Sequence, residues 1–335
     1  MTLSRAVWGR AWTPLLQAAI RESSEDQYRR GVGHFLDWLD NVFRCPLHTA
    51  EEIDDALCEY GWWVYEHWAG RGKWRLNMAL YGVEHFLPGL QDEMVLARRS
   101  LRGWDNLRPP QSHPPLNMAL TSLLAAEMNR MGHPGAGVAT LLAFDCYLRI
   151  SEIAALRVCD VADLGVLVPH TYGQMRAGMS GTLITIPTSK TWENQSVQVR
   201  RTQVAALLDT WVRYVERRNG GDRRALLFPT QEQYRRLFQQ AEENLGWHTP
   251  ETPHFVPHSL RHGGASCDYL IFGSGRLEEI LFRGRWGSMQ STRHYIQQGA
   301  ALMVEALTGV PRWQREYGHL VAQSVRYWIT IPDDF

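Results

Sequence analysis

The sequence predicts a mainly α-helical protein with one small antiparallel β-sheet, arranged as two domains. Apolar residues recur at helical spacing along most of the 335 residues, which favours helices over strands. Two short runs rich in β-forming residues, at 182–187 and 196–200, predict a hairpin. A stretch with four prolines at 105–115 divides the chain, and this length fits two domains of about 100–200 residues each.

The first domain is expected over 1–104 and consists of helices. Ser23 and Ser24 precede apolar residues at helical spacing from Tyr28 to Phe43, which indicates an amphipathic helix with a capped N-terminus. Three further helices are predicted in this half, at 50–68, 74–86 and 92–102. Most of its tryptophans are expected in the core: Trp38, Trp62, Trp63, Trp68 and Trp74.

The stretch at 105–115 is predicted to be an extended linker. Proline cannot continue a helix, and this stretch contains Pro109, Pro110, Pro114 and Pro115. The second domain is expected over 116–335. Its predicted helices span 116–131, 135–148, 202–218 and the chain from 260 to the end, and its hairpin has a loop at 188–195.

The composition excludes several classes of protein. With 44% hydrophobic and 21% charged residues, the chain resembles a folded globular protein rather than a disordered one. It contains no apolar run of about 18 residues that could span a membrane, and its N-terminus lacks the apolar core of a secretory signal. Five widely spaced cysteines without a CxxC pair predict buried, reduced thiols in an intracellular protein, whose compartment stays unassigned.

We expect no metal ion, no cofactor and no small-molecule substrate. His254, His258 and His262 have the spacing of one helix face, which could suggest a metal site. However, no glutamate follows His258 as the HExxH pattern of zinc hydrolases requires, and no third ligand is evident.

The charge balance argues mildly against a nucleic-acid partner. The chain has 35 basic and 35 acidic residues, whereas nucleic-acid-binding domains usually carry a basic excess. DNA binding would therefore depend on local basic patches. The basic residues comprise 33 Arg and two Lys, Lys73 and Lys190, so each lysine is a candidate for a role that arginine cannot fill.

Four segments of the second half carry side chains that suit binding or attacking a phosphate. In chain order they contribute Arg149 with Glu152, Lys190, His258 with Arg261 and His262, and Trp286 with Tyr295. Taken singly, each has an ordinary explanation, such as a surface ion pair, a pair of helix histidines or a core aromatic. Taken together, their order and the nine-residue spacing from Trp286 to Tyr295 resemble the tyrosine recombinase (phage integrase) family over most of the chain.

The resemblance implies a helical core-binding domain followed by a catalytic domain that cleaves and rejoins DNA without a metal. Tyr295 would attack phosphorus and form a 3′-phosphotyrosyl intermediate. Arg149 and Arg261 would clamp the non-bridging oxygens through charge-assisted hydrogen bonds. Lys190 would protonate the leaving 5′ oxygen, and His258 would accept the phenol proton.

Three further residues are implied by the resemblance, and two positions depart from it. Trp286 would donate its indole N–H to a phosphate oxygen, Glu152 would support the first arginine, and His262 matches the family's second histidine. Tyr147 stands where the family usually has glycine. The run from Arg283 to Trp286 reads Arg-Gly-Arg-Trp, where the family often has Leu-Gly-His.

The implied partners are double-stranded DNA and further copies of the chain in a homotetramer, with an apolar stripe at 300–307 as a candidate docking element. The candidate DNA contacts are Arg71, Lys73, Arg75, Arg285 and Arg293. Other functions stay open: a type IB topoisomerase-like nicking-closing enzyme, a domesticated DNA-binding protein without catalysis, or a plain helical interaction protein. The motifs do not reveal the DNA target or distinguish integration, excision and inversion.

Overall fold

The computed structural model describes residues 19–20, 22–109, 113–163, 181–188, 193–247, 255–307 and 310–332. The chain divides into two compact units, Met1–Gln111 and Ser112–Phe335. Most described residues are helical, and one three-stranded antiparallel sheet accompanies them. This architecture confirms the predicted fold class.

The first unit is built from helices, and side-chain hydrogen bonds hold the starts of two of them. Its described α-helices are α1 (Glu22–Trp38), α2 (Ala50–His67), α3 (Lys73–Phe86) and α4 (Val95–Leu107). A capping box begins α2, because the Thr49 hydroxyl accepts from the Glu52 N–H and the Glu52 carboxylate accepts from the Thr49 N–H. The buried carboxylate of Asp54 accepts the N–H groups of Leu96 and Ala97 at 2.7 and 2.8 Å and so caps α4.

The core of the first unit is largely aromatic. Trp38 and Tyr60 pack with ring centroids 5.5 Å apart, and Trp104 is buried. The expectation of a buried tryptophan was wrong for Trp62 and Trp74, which are 53% and 52% exposed. Successive residues on a helix point about 100° apart, so one helix face cannot bury adjacent bulky residues equally.

The second unit contains ten described α-helices. They are α5 (Met118–Arg130), α6 (Pro134–Asp145), α7 (Ile150–Ala155), α8 (Thr202–Arg218), α9 (Gln231–Leu245), α10 (Pro257–Phe272), α11 (Leu277–Gly284), α12 (Met289–Tyr295), α13 (Gln298–Leu307) and α14 (Arg312–Gln323). The helical region predicted from 260 to the end is formed by several of these helices. Gly273 and Arg285 have φ angles of 69° and 54°, and these left-handed conformations end α10 and α11.

The sheet packs one face on the helical core. Its strands are β1 (Val161–Asp163), β2 (Thr182–Thr188) and β3 (Glu193–Gln198), in the order β1-β2-β3. Ile184 of β2 pairs with Val161 on one side and Val197 on the other, and all three contribute to the core. The predicted hairpin loop includes 189–192, and these residues, with Lys190 among them, lie outside the described part of the chain.

Helix α6 forms the centre of the second unit, since every residue from Gly135 to Asp145 is buried. Helices α5 and α10 pack against it, and α14 packs on α5. The approach of α14 is close because it presents Gly318, where an added Cβ would lie 3.0 Å from the Ala119 carbonyl oxygen. Helix α10, which carries several of the predicted site residues, is thus held against the buried helix α6.

Two expectations from composition can be compared with the described residues. Cys146 is buried, but Cys45 and Cys159 are exposed, so the prediction of five buried thiols was wrong. No described helix is both long and apolar enough to cross a membrane. Within the same ranges, no group of three or more His, Cys, Asp or Glu side chains could hold a metal ion.

Candidate active site

Arg149 precedes the short helix α7 and is held by Glu152. The Arg149 N–H donates to Glu152 Oε2 at 2.9 Å, and Arg149 Nη1 donates to Oε1 at 2.7 Å. The carboxylate is buried, whereas the Arg149 side chain is 20% exposed. The pair is therefore a buried support for a partly exposed guanidinium, not the surface ion pair that the sequence also allowed.

Arg261 lies inside α10 and is fully buried. Its Nη1 donates to the Tyr147 carbonyl and its Nη2 to the Gly284 carbonyl. Arg261 Nη1 also lies 4.0 Å from Glu152 Oε2. Two carbonyls therefore fix this guanidinium beside the same carboxylate that holds Arg149.

A third guanidinium reaches that carboxylate from Arg285, which follows α11. Arg285 Nη2 donates to Glu152 Oε2 at 2.7 Å. The sequence suggested Arg285 as a DNA contact, but the residue is only 6% exposed. We therefore assign it to the support of Glu152. Three arginines around one carboxylate give the cluster a net positive charge.

The cluster keeps its charges at neutral pH. Burial raises the pKa of Glu152, but Arg285 and the other two arginines outweigh burial and hold that pKa below its usual value. Burial, followed by Arg149 and Arg285, lowers the pKa of Arg261, yet a guanidinium stays protonated at neutral pH. The excess positive charge suits a phosphodiester.

Tyr295, at the end of α12, lies among the other predicted site residues. Its ring centroid is 4.7 Å from that of Trp286, 4.8 Å from that of His262 and 5.4 Å from that of His258. The Arg261 Cζ atom lies 5.2 Å from the Tyr295 ring centroid. Four residues separated along the chain thus meet one phenol ring.

Two residues that the sequence did not single out hold the backbone beside Tyr295. Ser266 Oγ donates to the Tyr295 carbonyl at 3.4 Å and accepts the Gln297 N–H at 3.0 Å. The Gln297 side-chain amide lies 3.1 Å from His262 Nδ1. Ser266 follows His262 by one helical turn on α10, which is the signal that a sequence reading could have used.

Three buried N–H groups at this site have no hydrogen-bond partner among the described residues: Trp286 Nε1, Arg261 Nε and Arg285 Nε. An unpaired buried donor costs about 1–3 kcal/mol. The Trp286 ring stacks between two tyrosines, and its centroid lies 4.7 Å from that of Tyr295 and 6.1 Å from that of Tyr147. Of the three, the donors of Trp286 and Arg261, whose side chains contact the Tyr295 ring, are available to an oxygen-rich ligand.

Tyr147, the departure from the family's glycine, adopts a glycine-like conformation. Its φ is 49°, its side chain is fully buried, and its hydroxyl donates to Asp268. Burial, followed by Asp268, raises the pKa of Tyr147. Gly264 makes room for the ring, since a Cβ there would lie 2.7 Å from Tyr147 Cδ1. The turn before Arg149 is therefore kept despite the bulky residue.

A second ionic network lies behind Tyr147. Arg201 Nη1 donates to Asp145 at 2.6 Å, and Arg283 donates to the Asp145 carbonyl at 2.6 Å. Arg200 pairs with Asp268 at 3.1 Å. Arg283 also donates to the Gln198 carbonyl at 2.7 Å, which ties the end of β3 to α11. No pattern in the sequence predicted this network, because its members are far apart along the chain.

The segment that enters α10 is held by a buried carboxyl, Glu242 of α9. Its Oε1 accepts the Phe255 N–H at 3.1 Å. Burial raises the pKa of Glu242 to about 8, and Glu243 adds to the effect. Glu242 was not among the residues predicted to matter.

The basic residues suggested as DNA contacts in the first unit differ in their surroundings. Lys73 Nζ lies 2.5 Å from the Asp105 carboxylate. The Arg75 guanidinium lies over Trp68 and Trp74, with Cζ 4.6 and 4.9 Å from their ring centroids. These two cations therefore already have partners within their own unit.

Arg71 in the first unit and Arg293 in the second are exposed. They stay candidate contacts to a phosphate backbone. Lys190 and His254 lie outside the described residues, so the structure gives neither a position.

The fold resembles those of solved integrases, although no family model and no curated protein matches the chain. A structure of the Tn1549 transposon integrase in complex with transposon right end DNA aligns over 87% of this chain and 95% of that chain, with a TM-score of 0.54 and 13% identity. A lambda integrase dimer bound to a COC′ core site aligns over 87% of this chain and 83% of that chain, with a TM-score of 0.51 and 13% identity. The chain has the fold of these tyrosine recombinases.

Proposed function

We propose that this chain is a site-specific DNA recombinase that cleaves and rejoins strands through a 3′-phosphotyrosyl intermediate on Tyr295. The observation that carries the proposal is the Tyr295 ring lying 5.2 Å from the Arg261 guanidinium, beside the carboxylate that also holds Arg149. Recombinase-like function is further supported by the fold shared with DNA integrases.

The proposed chemistry needs no metal. The Tyr295 oxygen forms a bond to phosphorus, and the bond from phosphorus to the 5′ oxygen breaks. Negative charge then develops on the non-bridging oxygens, where Arg149 and Arg261 supply positive charge. One well-placed donor of this kind typically contributes about 3 kcal/mol to transition-state stability. The Trp286 N–H adds a further donor.

Two proton transfers accompany the displacement. A phenol has a pKa near 10, so Tyr295 requires a base, and we assign His258, whose ring lies 5.4 Å from the phenol ring. The leaving 5′ oxygen requires an acid, and we assign Lys190, because arginine cannot release a proton at neutral pH. Reversal of these steps by a new 5′ hydroxyl rejoins the strand.

The proposed partners are duplex DNA and a homotetramer of the chain. Exposed Arg71 and Arg293 are the proposed backbone contacts. Leu302 and Met303 on α13 are exposed apolar residues, which supports α13 as a docking element for a neighbouring copy. We assign the first unit to core-site binding and the second unit to catalysis.

The test is trapping of a covalent adduct. Wild-type protein and the Tyr295→Phe variant are mixed with a labelled pool of randomised duplexes. Each duplex carries a nick, so that the short fragment with the new 5′ hydroxyl diffuses away after cleavage and cannot rejoin. We expect a denaturant-resistant adduct with wild type and none with Tyr295→Phe, while both bind DNA. Tyr317→Phe, at a partly exposed tyrosine of α14, is the matched control.

Two outcomes would contradict the proposal: an adduct that persists in Tyr295→Phe, or a wild-type protein that forms none with any duplex of the pool. Relaxation of a supercoiled plasmid that lacks any selected site would instead favour a nicking-closing enzyme.

A further inference from the structure

We propose that Arg285 is a positioning residue, which holds Arg149 and Arg261 in place through Glu152 and the Tyr147 carbonyl. The proposal rests on the proposed function, because its main readout is the rate of adduct formation. It names a residue at one of the two positions where this chain departs from the family pattern.

The backbone at Arg285 gives the first argument. Arg285 ends α11 with φ of 54°, a left-handed conformation that glycine adopts without strain and other residues adopt at a cost. If residue 285 only ended the helix, glycine would give the lowest backbone strain at this position. The arginine side chain must therefore contribute contacts that outweigh this backbone cost.

Those contacts go to two groups that hold the catalytic arginines. Arg285 Nη2 donates to Glu152 Oε2 at 2.7 Å and to the Tyr147 carbonyl at 3.1 Å. Glu152 is the carboxylate that binds Arg149 through both a backbone and a side-chain hydrogen bond. The Tyr147 carbonyl is the acceptor of Arg261 Nη1. Arg285 thus touches a support of each arginine.

Contacts with Tyr295 separate Arg285 from the equally buried Arg261. Arg261 Cζ lies 5.2 Å from the Tyr295 ring centroid, whereas the hydrogen bonds of Arg285 go to Glu152 and to main-chain carbonyls. The Arg285 side chain is 3% exposed, whereas the Arg149 side chain is 20% exposed. Arg285 Nη1 is occupied as well, by the Cys146 and Arg283 carbonyls at 3.4 and 3.0 Å. A phosphate would therefore meet Arg149 while Arg285 stays behind Glu152.

Neighbouring residues leave Arg285 little freedom. Gly284 permits the sharp turn into Trp286, since a Cβ at 284 would lie 2.1 Å from the Trp286 ring. The Gly284 carbonyl accepts from Arg261. The segment Arg-Gly-Arg-Trp at 283–286 thus contacts Arg261, Glu152 and Tyr295.

The test is a double-mutant cycle in the adduct assay. The variants are Arg285→Gly, Glu152→Gln and the double variant. In single-turnover reactions we expect Arg285→Gly to slow adduct formation about 30-fold, since the buried Glu152 carboxylate loses one of its three arginine partners, with DNA affinity changed less than about 3-fold. If Arg285 acts through Glu152, Arg285→Gly in the Glu152→Gln background should cost less than about 3-fold.

Arg44→Gly is the matched control. Arg44 also ends a helical segment with a left-handed φ, 56°, but it is exposed and lies in the first unit. Because Arg44 and Arg285 have the same backbone conformation, Arg44→Gly makes the same exchange away from the site and should leave the rate of adduct formation unchanged. Glycine relieves the backbone strain at both positions, so a loss of activity in Arg285→Gly alone points to the side chain.

The pH profile provides a readout that a purely structural role would not move. The charges facing Glu152 are Arg149, Arg261 and Arg285. Removing Arg285 should shift the acidic limb of the adduct rate to higher pH, and Glu152→Gln should abolish that shift. If Arg285→Gly fails to fold, Arg285→Lys is the variant that tests the proposal. Lysine keeps the positive charge but lacks the paired N–H donors of the guanidinium, and it should slow adduct formation about 10-fold.

Three results would overturn the proposal: a normal rate in Arg285→Gly, fully additive effects of the two substitutions, or an equal loss of rate in Arg44→Gly. A wild-type protein that forms no adduct would overturn the proposed function instead. In that case urea unfolding of the same four proteins tests the contact, and additive losses of stability would still refute it.

Discussion

The buried carboxyl of Glu242 makes the stability of this protein fall as pH rises, and Glu242→Gln should remove that loss. Glu242 is 3% exposed and accepts one N–H, from Phe255. Burial raises its pKa from 4.5 to about 8. Because the folded pKa lies above the unfolded one, the folded state binds the proton more tightly, so stability falls between these two pH values.

The magnitude follows from the shift. One pKa unit corresponds to about 1.4 kcal/mol, so ionised Glu242 lowers the free energy of unfolding by about 5 kcal/mol at pH 9 relative to pH 4. Glutamine is neutral and keeps an oxygen that can accept the Phe255 N–H. The Glu242→Gln variant should therefore match wild type near pH 4, exceed its stability increasingly up to about pH 8, and keep that difference above pH 8.

The assay is urea unfolding at several pH values from 5 to 9, with the free energy of unfolding compared between wild type and variant. Glu243→Gln, at the exposed neighbouring position, is the control for removing a negative charge from α9. Parallel curves for wild type and Glu242→Gln would refute the reasoning, since they would mean that Glu242 does not change protonation in this window.

Three further predictions concern the site and the core. Lys190→Ala should abolish adduct formation on an ordinary duplex, and a substrate with a 5′-bridging sulfur should restore it, since a thiolate leaves without a proton; an unrescued variant would argue against an acid role. Gly284→Ala should destabilise the second unit by about 1–3 kcal/mol in urea unfolding, because its Cβ would lie 2.1 Å from the Trp286 ring. Trp104→Ala should cost about 3–5 kcal/mol, whereas Trp62→Ala, at an exposed position, should change the unfolding free energy by less than about 0.5 kcal/mol.

The helical class and the hairpin could be predicted because they depend on local periodicity. Helix α9 was missed although its sequence carries usable signals: Thr230 caps its start, Gly246 ends it in a left-handed conformation, and Tyr234 and Phe238 lie one turn apart on its buried side. Because this helix was not predicted, Glu242 was not considered as a buried residue. Here more careful reading of the sequence would have sufficed.

The site is a different case, because order along the chain predicts which groups are candidates but not what surrounds them. Arg285 was expected on the surface, and its burial depends on a left-handed backbone and on Glu152, more than a hundred residues away. Asp268 is likewise bound to Tyr147 from a distant helix. Sequence spacing carries no information about such contacts between remote segments, so they require the folded structure.

The unpaired N–H groups of Trp286, Arg261 and Arg285 also bear on how the protein would respond to engineering. A substitution such as Trp286→Phe removes a donor that water cannot reach easily and would relieve the resting protein of that penalty. Screens that select for heat tolerance alone would therefore favour replacement of Trp286, which under the proposed function donates to the phosphate. Libraries for this scaffold should be sorted for turnover first and for robustness second.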